Sequence, residues 1–168
     1  MLRNSHPVRK PTRLATFDYA SAGVYFVTIC TQHRESRFGD IEEGEVLLNP
    51  AGIMVAEQWE KNSATYPGVE PDLYVVMPDH LHAILFLGTN PDQKSGTTSL
   101  NTIIGTFKSL TTLEYGRGVR AGIYPPFDRT LWQRSFHDRI IRSPRELDAA
   151  RIYIEQNPSN AGDLNPQS

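Results

Sequence analysis

The 168-residue sequence is poor in the features that mark specialised classes of protein. Its single cysteine, Cys30, excludes an intrachain disulfide framework and suits a reducing compartment. No apolar run approaches the ~20 residues that span a bilayer, and the polar, basic residues 1–11 are followed by no apolar stretch of the kind a signal peptide has. A chain of this length also needs no disulfide or structural metal to bury a core. We therefore expect a cytoplasmic protein with no membrane partner.

The sequence also lacks an overall excess of charge, with a net charge of −2 at pH 7. The charges are nevertheless segregated along the chain. Residues 35–92 hold eleven acidic and two basic side chains, residues 108–151 hold nine basic and five acidic ones, and residues 1–14 are basic with no acid. Two basic regions on an otherwise acidic molecule can hold a phosphate backbone, although ordinary solvated surfaces explain the same distribution.

Apolar periodicity predicts four principal strands. Val24–Thr31 is a β-branched and aromatic run typical of a central strand covered on both faces. Two further strands, Leu73–Met77 and His80–Leu87, are joined at Pro78-Asp79, and a fourth covers Leu131–Arg142. Between them, residues 45–48 can form a short hairpin arm.

Three helices are predicted, each opened by an N-cap signal. The helices with their caps are residues 50–64 after Asn49, residues 100–115 after Ser99, and residues 144–157 within the capping box Ser143-Pro144-Arg145-Glu146. Gly116–Asp128 is expected to be a loop. Pro158 disfavours helical geometry at Asn157 and is expected to end the third helix.

The order strand, helix, strand, strand, helix, strand predicts an α+β fold, the ferredoxin-like βαββαβ plan with an antiparallel sheet. The first two helices should cover one face and the additional C-terminal helix the other. Because no internal repeat or long linker is present, we expect one domain over residues 15–158, preceded by a basic arm, residues 1–14, and followed by a flexible tail, residues 159–168.

His80 and His82 are two residues apart on a predicted strand, so their side chains share a face and can bind one divalent ion. The pattern is short, and two histidines that only form hydrogen bonds at a strand end fit it as well. On the third helix, Tyr153 and Asn157 lie one turn apart beside an apolar stripe that can pack on the same face. A phenol and a carboxamide can then face the imidazoles, or serve only as a packing aromatic and a helix C-cap.

Several segments resemble one known family in the same order along the chain. They are Ala22–Thr31 (AGVYFVTICT), Met77–His82 (MPDHLH), Gly105–Ser109 (GTFKS), Trp132–Arg142 (WQRSFHDRIIR) and Tyr153–Pro158 (YIEQNP). Together they resemble the REP-associated tyrosine transposases, which belong to the single-tyrosine HUH transposases. The likeness covers most of residues 15–158. Asn is commoner in this family where Asp79 stands.

This resemblance implies an enzyme that cleaves and rejoins single-stranded DNA at hairpin, REP-type sequences through a 5′-phosphotyrosine intermediate. Tyr153 would be the nucleophile, and His80, His82 and Asn157 would hold Mg²⁺ or Mn²⁺. His137 is a possible auxiliary residue with an open role. The implied partner is hairpin DNA, bound by a monomer or a homodimer. The implied DNA contacts are Arg3, Arg9, Lys10, Arg13, Lys108, Arg134, Arg139 and Arg142.

Two other functions stay open at the level of the sequence. One is a non-catalytic module that binds hairpin nucleic acid, which would need exposed aromatic residues on the sheet face that the third helix is expected to cover. The other is a metal-dependent phosphodiesterase in which water attacks and Tyr153 only packs. Such an enzyme would cleave DNA without forming a covalent protein–DNA adduct.

Overall fold

The structure, a computed structural model, describes residues 2–3, 23–88 and 98–160. The predicted DNA contacts Arg9, Lys10 and Arg13, and residues 161–168 of the predicted tail, lie outside these ranges. The elements are β1 (Leu2–Arg3), β2 (Gly23–Cys30), β3 (Gly39–Glu42), β4 (Glu45–Leu48), α1 (Pro50–Ser63), β5 (Val69–Met77), β6 (His80–Leu87), α2 (Leu100–Arg120), β7 (His137–Ile141) and α3 (Pro144–Asn160). Within the described ranges no helix is long and apolar enough to cross a membrane.

The main sheet has the strand order β5-β6-β2-β7, and every neighbouring pair is antiparallel. This confirms the predicted ferredoxin-like βαββαβ plan. A second, small sheet has the order β1-β4-β3 and contains Arg3, another predicted DNA contact, in its two-residue first strand. The β3–β4 hairpin extends the short arm expected over residues 45–48.

Two cores lie on opposite faces of the main sheet. The larger core joins inward residues of β2, β5 and β6 to α1 and α2, with Trp59 and Phe107 in edge contact at its centre. The smaller core lies under α3. It consists of Val24, Phe26, Leu73, Ile84, Ile141, Leu147, Ala150 and Ile154. Because β2 and β6 are covered on both faces, their sequences are continuous apolar runs rather than alternating ones.

Helix α2 is longer than predicted, because it continues through Gly116 to Arg120. A glycine inside a helix costs only about 0.5–1 kcal/mol, and burial here outweighs that cost. Tyr115 is completely buried, and its ring packs against the ring of Tyr124 in a tilted arrangement. The chain instead reverses at Gly122, whose φ of 73° suits glycine.

Strand β7 is shorter than the predicted strand over residues 131–142. The apolar residues Leu131 and Trp132 are buried in the larger core rather than forming part of the strand. An isolated bridge joins Trp132 to Thr31. The indole N–H of Trp132 donates to the Thr111 hydroxyl at 2.8 Å, which holds this irregular segment against α2.

The predicted end of α3 at Asn157 was wrong, since the helix runs through Pro158 to Asn160. Proline removes one backbone donor there, and only two helical residues follow it. The Ser159 hydroxyl also donates to the carbonyl of Gly44 at 3.4 Å. At the other end, the Ser143 hydroxyl accepts from the Glu146 amide as the capping box predicts, while the Glu146 carboxylate accepts from the amide of Arg142.

Candidate active site

His80 and His82 project from the start of β6 onto the sheet face that α3 covers. We call this the histidine face: the face bearing Thr28, His80 and His82. The two imidazole rings lie 4.6 Å apart between centroids, at an interplanar angle of 74°. Their Nε2 atoms approach to 3.1 Å. The alternation of side chains predicted from the sequence therefore brings the two rings into contact.

The opposite nitrogen of each ring has a hydrogen-bond partner. Nδ1 of His82 lies 2.8 Å from the hydroxyl of Thr28, which is directly across from it on β2. Nδ1 of His80 lies 2.6 Å from a carboxylate oxygen of Asp79. With both Nδ1 atoms engaged, the two Nε2 atoms face each other. Metal-binding histidines are oriented by outer partners in this way.

Burial and nearby charge shift the pKa values of His82 and of Asp79, the carboxylate beside His80. Burial lowers the pKa of His82 to about 3, and the neighbouring His80 and Arg34 contribute in the same direction. His82 is therefore neutral at neutral pH. Burial alone would raise the pKa of Asp79, but the hydrogen bond with His80 and the charge of Arg34 lower it. An ionised Asp79 accepts a hydrogen bond from Nδ1–H of His80, which fixes the orientation of that ring.

Helix α3 brings Tyr153 to this pair. The Tyr153 ring meets the His82 ring edge-on, with centroids 5.4 Å apart, and meets the Phe26 ring edge-on at 5.8 Å. Phe26 itself packs against His82 at 5.3 Å. The Tyr153 side chain is nevertheless 43% exposed. The phenol is thus held beside an imidazole while staying accessible to a ligand from solvent.

Asn157 lies one turn further along α3 and is buried. Among the described residues its carboxamide has no hydrogen-bond partner. In the described part of the chain, the fully buried side-chain atom without a hydrogen-bond partner is Trp59 Nε1, so the Asn157 carboxamide is not sealed off and stays available to a ligand. The described residues contain no cluster of three or more His, Cys, Asp or Glu side chains that could hold a metal ion. A third protein ligand beside the two imidazoles would therefore have to be of another type, such as the oxygen of the Asn157 carboxamide.

Two predicted residues of β7 open onto the same face. His137 pairs with Thr28 and Arg139 pairs with Phe26, and directly opposed residues of antiparallel strands share a face. The Arg139 guanidinium lies 5.2 Å from the centroid of the Phe26 ring. Both side chains are exposed, as is Arg142 just beyond the strand. A phosphate backbone that reaches Tyr153 would pass close to Arg139.

The other two predicted contacts lie on the α2 side of the segment that precedes β7. The Lys108 ammonium donates to the carbonyls of Gln133, Arg134 and Ser135 at 2.8, 3.3 and 3.1 Å. Burial lowers the pKa of Lys108. Because its three N–H groups are used, Lys108 holds this segment in place, and any phosphate contact would have to replace these bonds. The Arg134 side chain is exposed and, with Lys108, borders a cavity of about 520 Å³.

Arg34, which lies in the turn after β2, belongs to the site although no sequence pattern singles it out. Its guanidinium donates to Asp79 at 2.9 Å and to the sulfur of Cys30 at 2.8 Å, and it lies 3.4 Å from Nδ1 of His80. The backbone of His33 and Arg34 is left-handed, with φ of 56° at both residues. Such a conformation is uncommon outside glycine and has no signature in the sequence.

No family model matches the chain. The chain is 30% identical over 165 residues to an "Uncharacterized protein" of Haemophilus influenzae (strain Rd). The match covers 89% of this chain and 88% of that protein. A solved structure of a REP-associated tyrosine transposase bound to a REP hairpin superposes with a TM-score of 0.57 at 22% identity, covering 92% of this chain and 76% of that one.

A second solved structure is a "putative transposase" of Deinococcus radiodurans R1. It superposes with a TM-score of 0.53 at 17% identity and covers 88% of this chain and 97% of that one. Both likenesses establish that the βαββαβ sheet with an additional C-terminal helix is also the fold of these two proteins.

Proposed function

The chain belongs to the same family as the Haemophilus influenzae protein, and from its fold and the geometry of the histidine face we propose that it is a metal-dependent enzyme that cleaves and rejoins single-stranded DNA at hairpin sequences. The proposed nucleophile is Tyr153. The observation that carries this proposal is the edge contact between the Tyr153 and His82 rings, with the two imidazole Nε2 atoms facing one another.

The proposed reaction exchanges one phosphodiester for another. The Tyr153 oxygen attacks the scissile phosphorus, loses the phenolic proton and forms a 5′-phosphotyrosine bond. The 3′ oxygen of the neighbouring nucleotide leaves and takes up a proton as a free 3′-hydroxyl. Because the phosphodiester bond energy is retained in the intermediate, attack by a 3′-hydroxyl can reverse the step and join two strands without a nucleotide cofactor.

The donor set fits a divalent cation, with Mg²⁺ or Mn²⁺ as the proposed ion. His80 and His82 would hold it through Nε2 and Asn157 through its amide oxygen, while waters and a phosphate oxygen would complete the oxygen-rich coordination that hard cations prefer. When bound, the ion supplies positive charge against the phosphate in the transition state. Asp79 and Thr28 keep both imidazoles turned toward this position.

The proposed partner is hairpin DNA with single-stranded flanks, bound by a monomer or a homodimer. Exposed Arg139 beside Phe26, with the exposed Arg134 before β7 and Arg142 just after it, would bind phosphates and orient the strand. Lys108 would act on DNA only indirectly, by fixing the segment that carries Arg134. A passive binding module is less well supported, since the Phe26 ring on this sheet face is covered by α3.

The test is a covalent adduct assay with labelled single-stranded hairpin DNA and Mn²⁺, resolved under denaturing conditions. The wild-type protein is expected to form an adduct, and omission of the divalent ion to prevent it. Tyr153→Phe should reduce adduct formation by more than about 1,000-fold, because the attacking oxygen is lost. Its affinity for the hairpin should change by less than about threefold.

Tyr25→Phe is the matched control, because it makes the same chemical change on the opposite face of β2, where Tyr25 packs on the larger core. It should leave the adduct yield unchanged. Wild-type cleavage without an adduct would instead indicate attack by water. Equal adduct yield from Tyr153→Phe would exclude Tyr153 as the nucleophile.

A further inference from the structure

Helix α3 is tied to the sheet by one buried ion pair. Nε of Arg151 lies 2.7 Å from one carboxylate oxygen of Asp72 and a terminal nitrogen lies 2.9 Å from the other. Both side chains are 5% exposed. The two parallel hydrogen bonds of such a fork fix a direction as well as a distance. The pair therefore constrains the orientation of α3 and not only its proximity to the sheet.

A local irregularity of β5 places the Asp72 carboxylate within reach of Arg151. The register between β5 and β6 shifts between Pro71 and Tyr74, so Asp72 and Leu73 fall outside the regular ladder. Both residues are buried, and Leu73 joins the smaller core under α3. A bulge re-aims the side chains at an edge strand in this way, and here the carboxylate it re-aims meets Arg151.

Arg151 and Tyr153 lie on opposite flanks of the helix. Two residues correspond to a rotation of about 200° around a helix axis. The Arg151 flank contacts the edge strand β5, and the Tyr153 flank contacts Phe26 of β2 and His82 of β6. Between the two flanks, Ala150 and Ile154 press on the sheet. Apolar contact is not directional, whereas the two hydrogen bonds of the ion pair are.

We propose that Asp72 and Arg151 are positioning residues for the reaction: the buried pair sets the rotation of α3 and thereby presents the Tyr153 hydroxyl to the histidine pair. This inference rests on the proposed function. A buried ion pair contributes little stability compared with well-packed apolar side chains of similar volume. Replacing both partners by apolar residues should therefore preserve the fold while releasing the rotational constraint.

The test compares three forms of the full chain. The first is wild type, the second is the double variant Asp72→Leu with Arg151→Met, and the third is Tyr74→Phe. The last is a matched control, since it removes the 2.6 Å hydrogen bond from Tyr74 to Glu60 on the α1 side of the same strand. For each protein the Tm, the hairpin Kd and the rate of adduct formation at saturating DNA are measured.

The double variant is expected to keep its Tm within about 5 °C, which corresponds to a change of about 1–2 kcal/mol in a chain of this size. It should bind the hairpin within about threefold of wild type. Its adduct formation at saturating DNA should be slower by about 10–100-fold, because a displacement near 1 Å at the reacting group has an effect of that order. Tyr74→Phe should lower the Tm without slowing the reaction. A double variant that reacts at the wild-type rate would overturn the proposal.

A second measurement does not depend on catalysis. Cross-relaxation in NMR spectra between the ring protons of Tyr153 and His82 should be present in the wild type and weak or lost in the double variant. If the wild type forms no adduct, the proposed function fails, and this ring contact still decides the positioning role. An unchanged contact in the double variant would show that the apolar stripe alone orients the helix.

Discussion

The Thr28 hydroxyl can donate to His82 or accept from it, and the direction of this bond determines which His82 nitrogen carries the proton. When the proton of His82 is on Nε2, this nitrogen can donate to Nε2 of His80 at 3.1 Å, and the Thr28 hydroxyl can donate to Nδ1 of His82. A cation held at both Nε2 atoms requires Nδ1–H on His82, from which the Thr28 oxygen then accepts. Thr28 is thus able to serve both states of the pair.

We predict that Thr28→Val weakens binding of Mn²⁺ by about 10–100-fold, because valine keeps the shape of threonine but cannot accept from Nδ1–H. Isothermal titration with Mn²⁺ measures the effect. Thr28→Ser retains a hydroxyl and is the matched control, which should stay within about threefold of wild type. Equal affinities for the valine variant and wild type would mean that the hydroxyl does not orient His82.

The residues of the site differ in how far sequence predicts them. The contact between His82 and Tyr153 was foreseeable, because strand alternation and helix periodicity each place a side chain on a known face. The partnership of Thr28 with His82 depends on the register between β2 and β6, which no local pattern fixes. Asp72 and Arg34 were missed because a bulge and a left-handed turn re-aim them.

At the scale of elements, the helix starts and the end of α1 were predictable, whereas the ends of α2 and α3 were not. Asn49 and Ser99 accept from Gly52 and Thr102 as their N-cap positions predict, since a cap is a local interaction. The end of α2 is instead decided by contacts with the chain that follows it. The ring of Tyr124 packs across the helix so closely that a Cβ at Gly118 would lie 2.1 Å from it.

Two of the three glycines of α2, Gly105 and Gly118, give opposite predictions. Gly105→Ala should raise the free energy of unfolding by about 0.5–1 kcal/mol, because alanine has the higher helix propensity and its Cβ would have no neighbour within 4 Å. Gly118→Ala should lower it by about 1–3 kcal/mol, because the Tyr124 ring would have to move. Urea denaturation measures both, and each variant is the control for the other. Destabilisation by Gly105→Ala would contradict the open surroundings of that position.

At the scale of the whole molecule, the main sheet separates the larger apolar core from the face that bears the candidate site. Among the described residues, the larger core under α1 and α2 contains most of the buried apolar side chains, and α3 is the one element that covers the histidine face. The order of the elements predicted this architecture, because βαββαβ connectivity leaves few compact arrangements. The pairing of β1 with the β3–β4 hairpin was not foreseen, since it joins the start of the chain to a distant segment.

Because His82 is buried, the free energy of unfolding should depend on pH in the acidic range. Its pKa of about 3 in the folded state lies below its ordinary value of 6.5, so the unfolded chain binds one more proton between these values. The contribution of His82 is therefore fully present above pH 6.5 and is lost as the pH falls toward 3, with a slope of at most about 1.4 kcal/mol per pH unit.

Urea denaturation from pH 7 to pH 4, in the presence of a chelator, measures this slope. His82→Gln should flatten the pH dependence, whereas His33→Gln, a change at an exposed position, should not. A slope that is identical in wild type and His82→Gln would mean that His82 titrates normally in the folded protein.

The position of α3 as the last described element has a consequence during translation. Thr28 and the two histidines belong to the first half of the chain, and a ribosome adds Tyr153 and Asn157 long after them. A nascent chain therefore contains the imidazole pair before it contains the phenol. We expect it to have no capacity to attack DNA until the final helix has been synthesised and has docked.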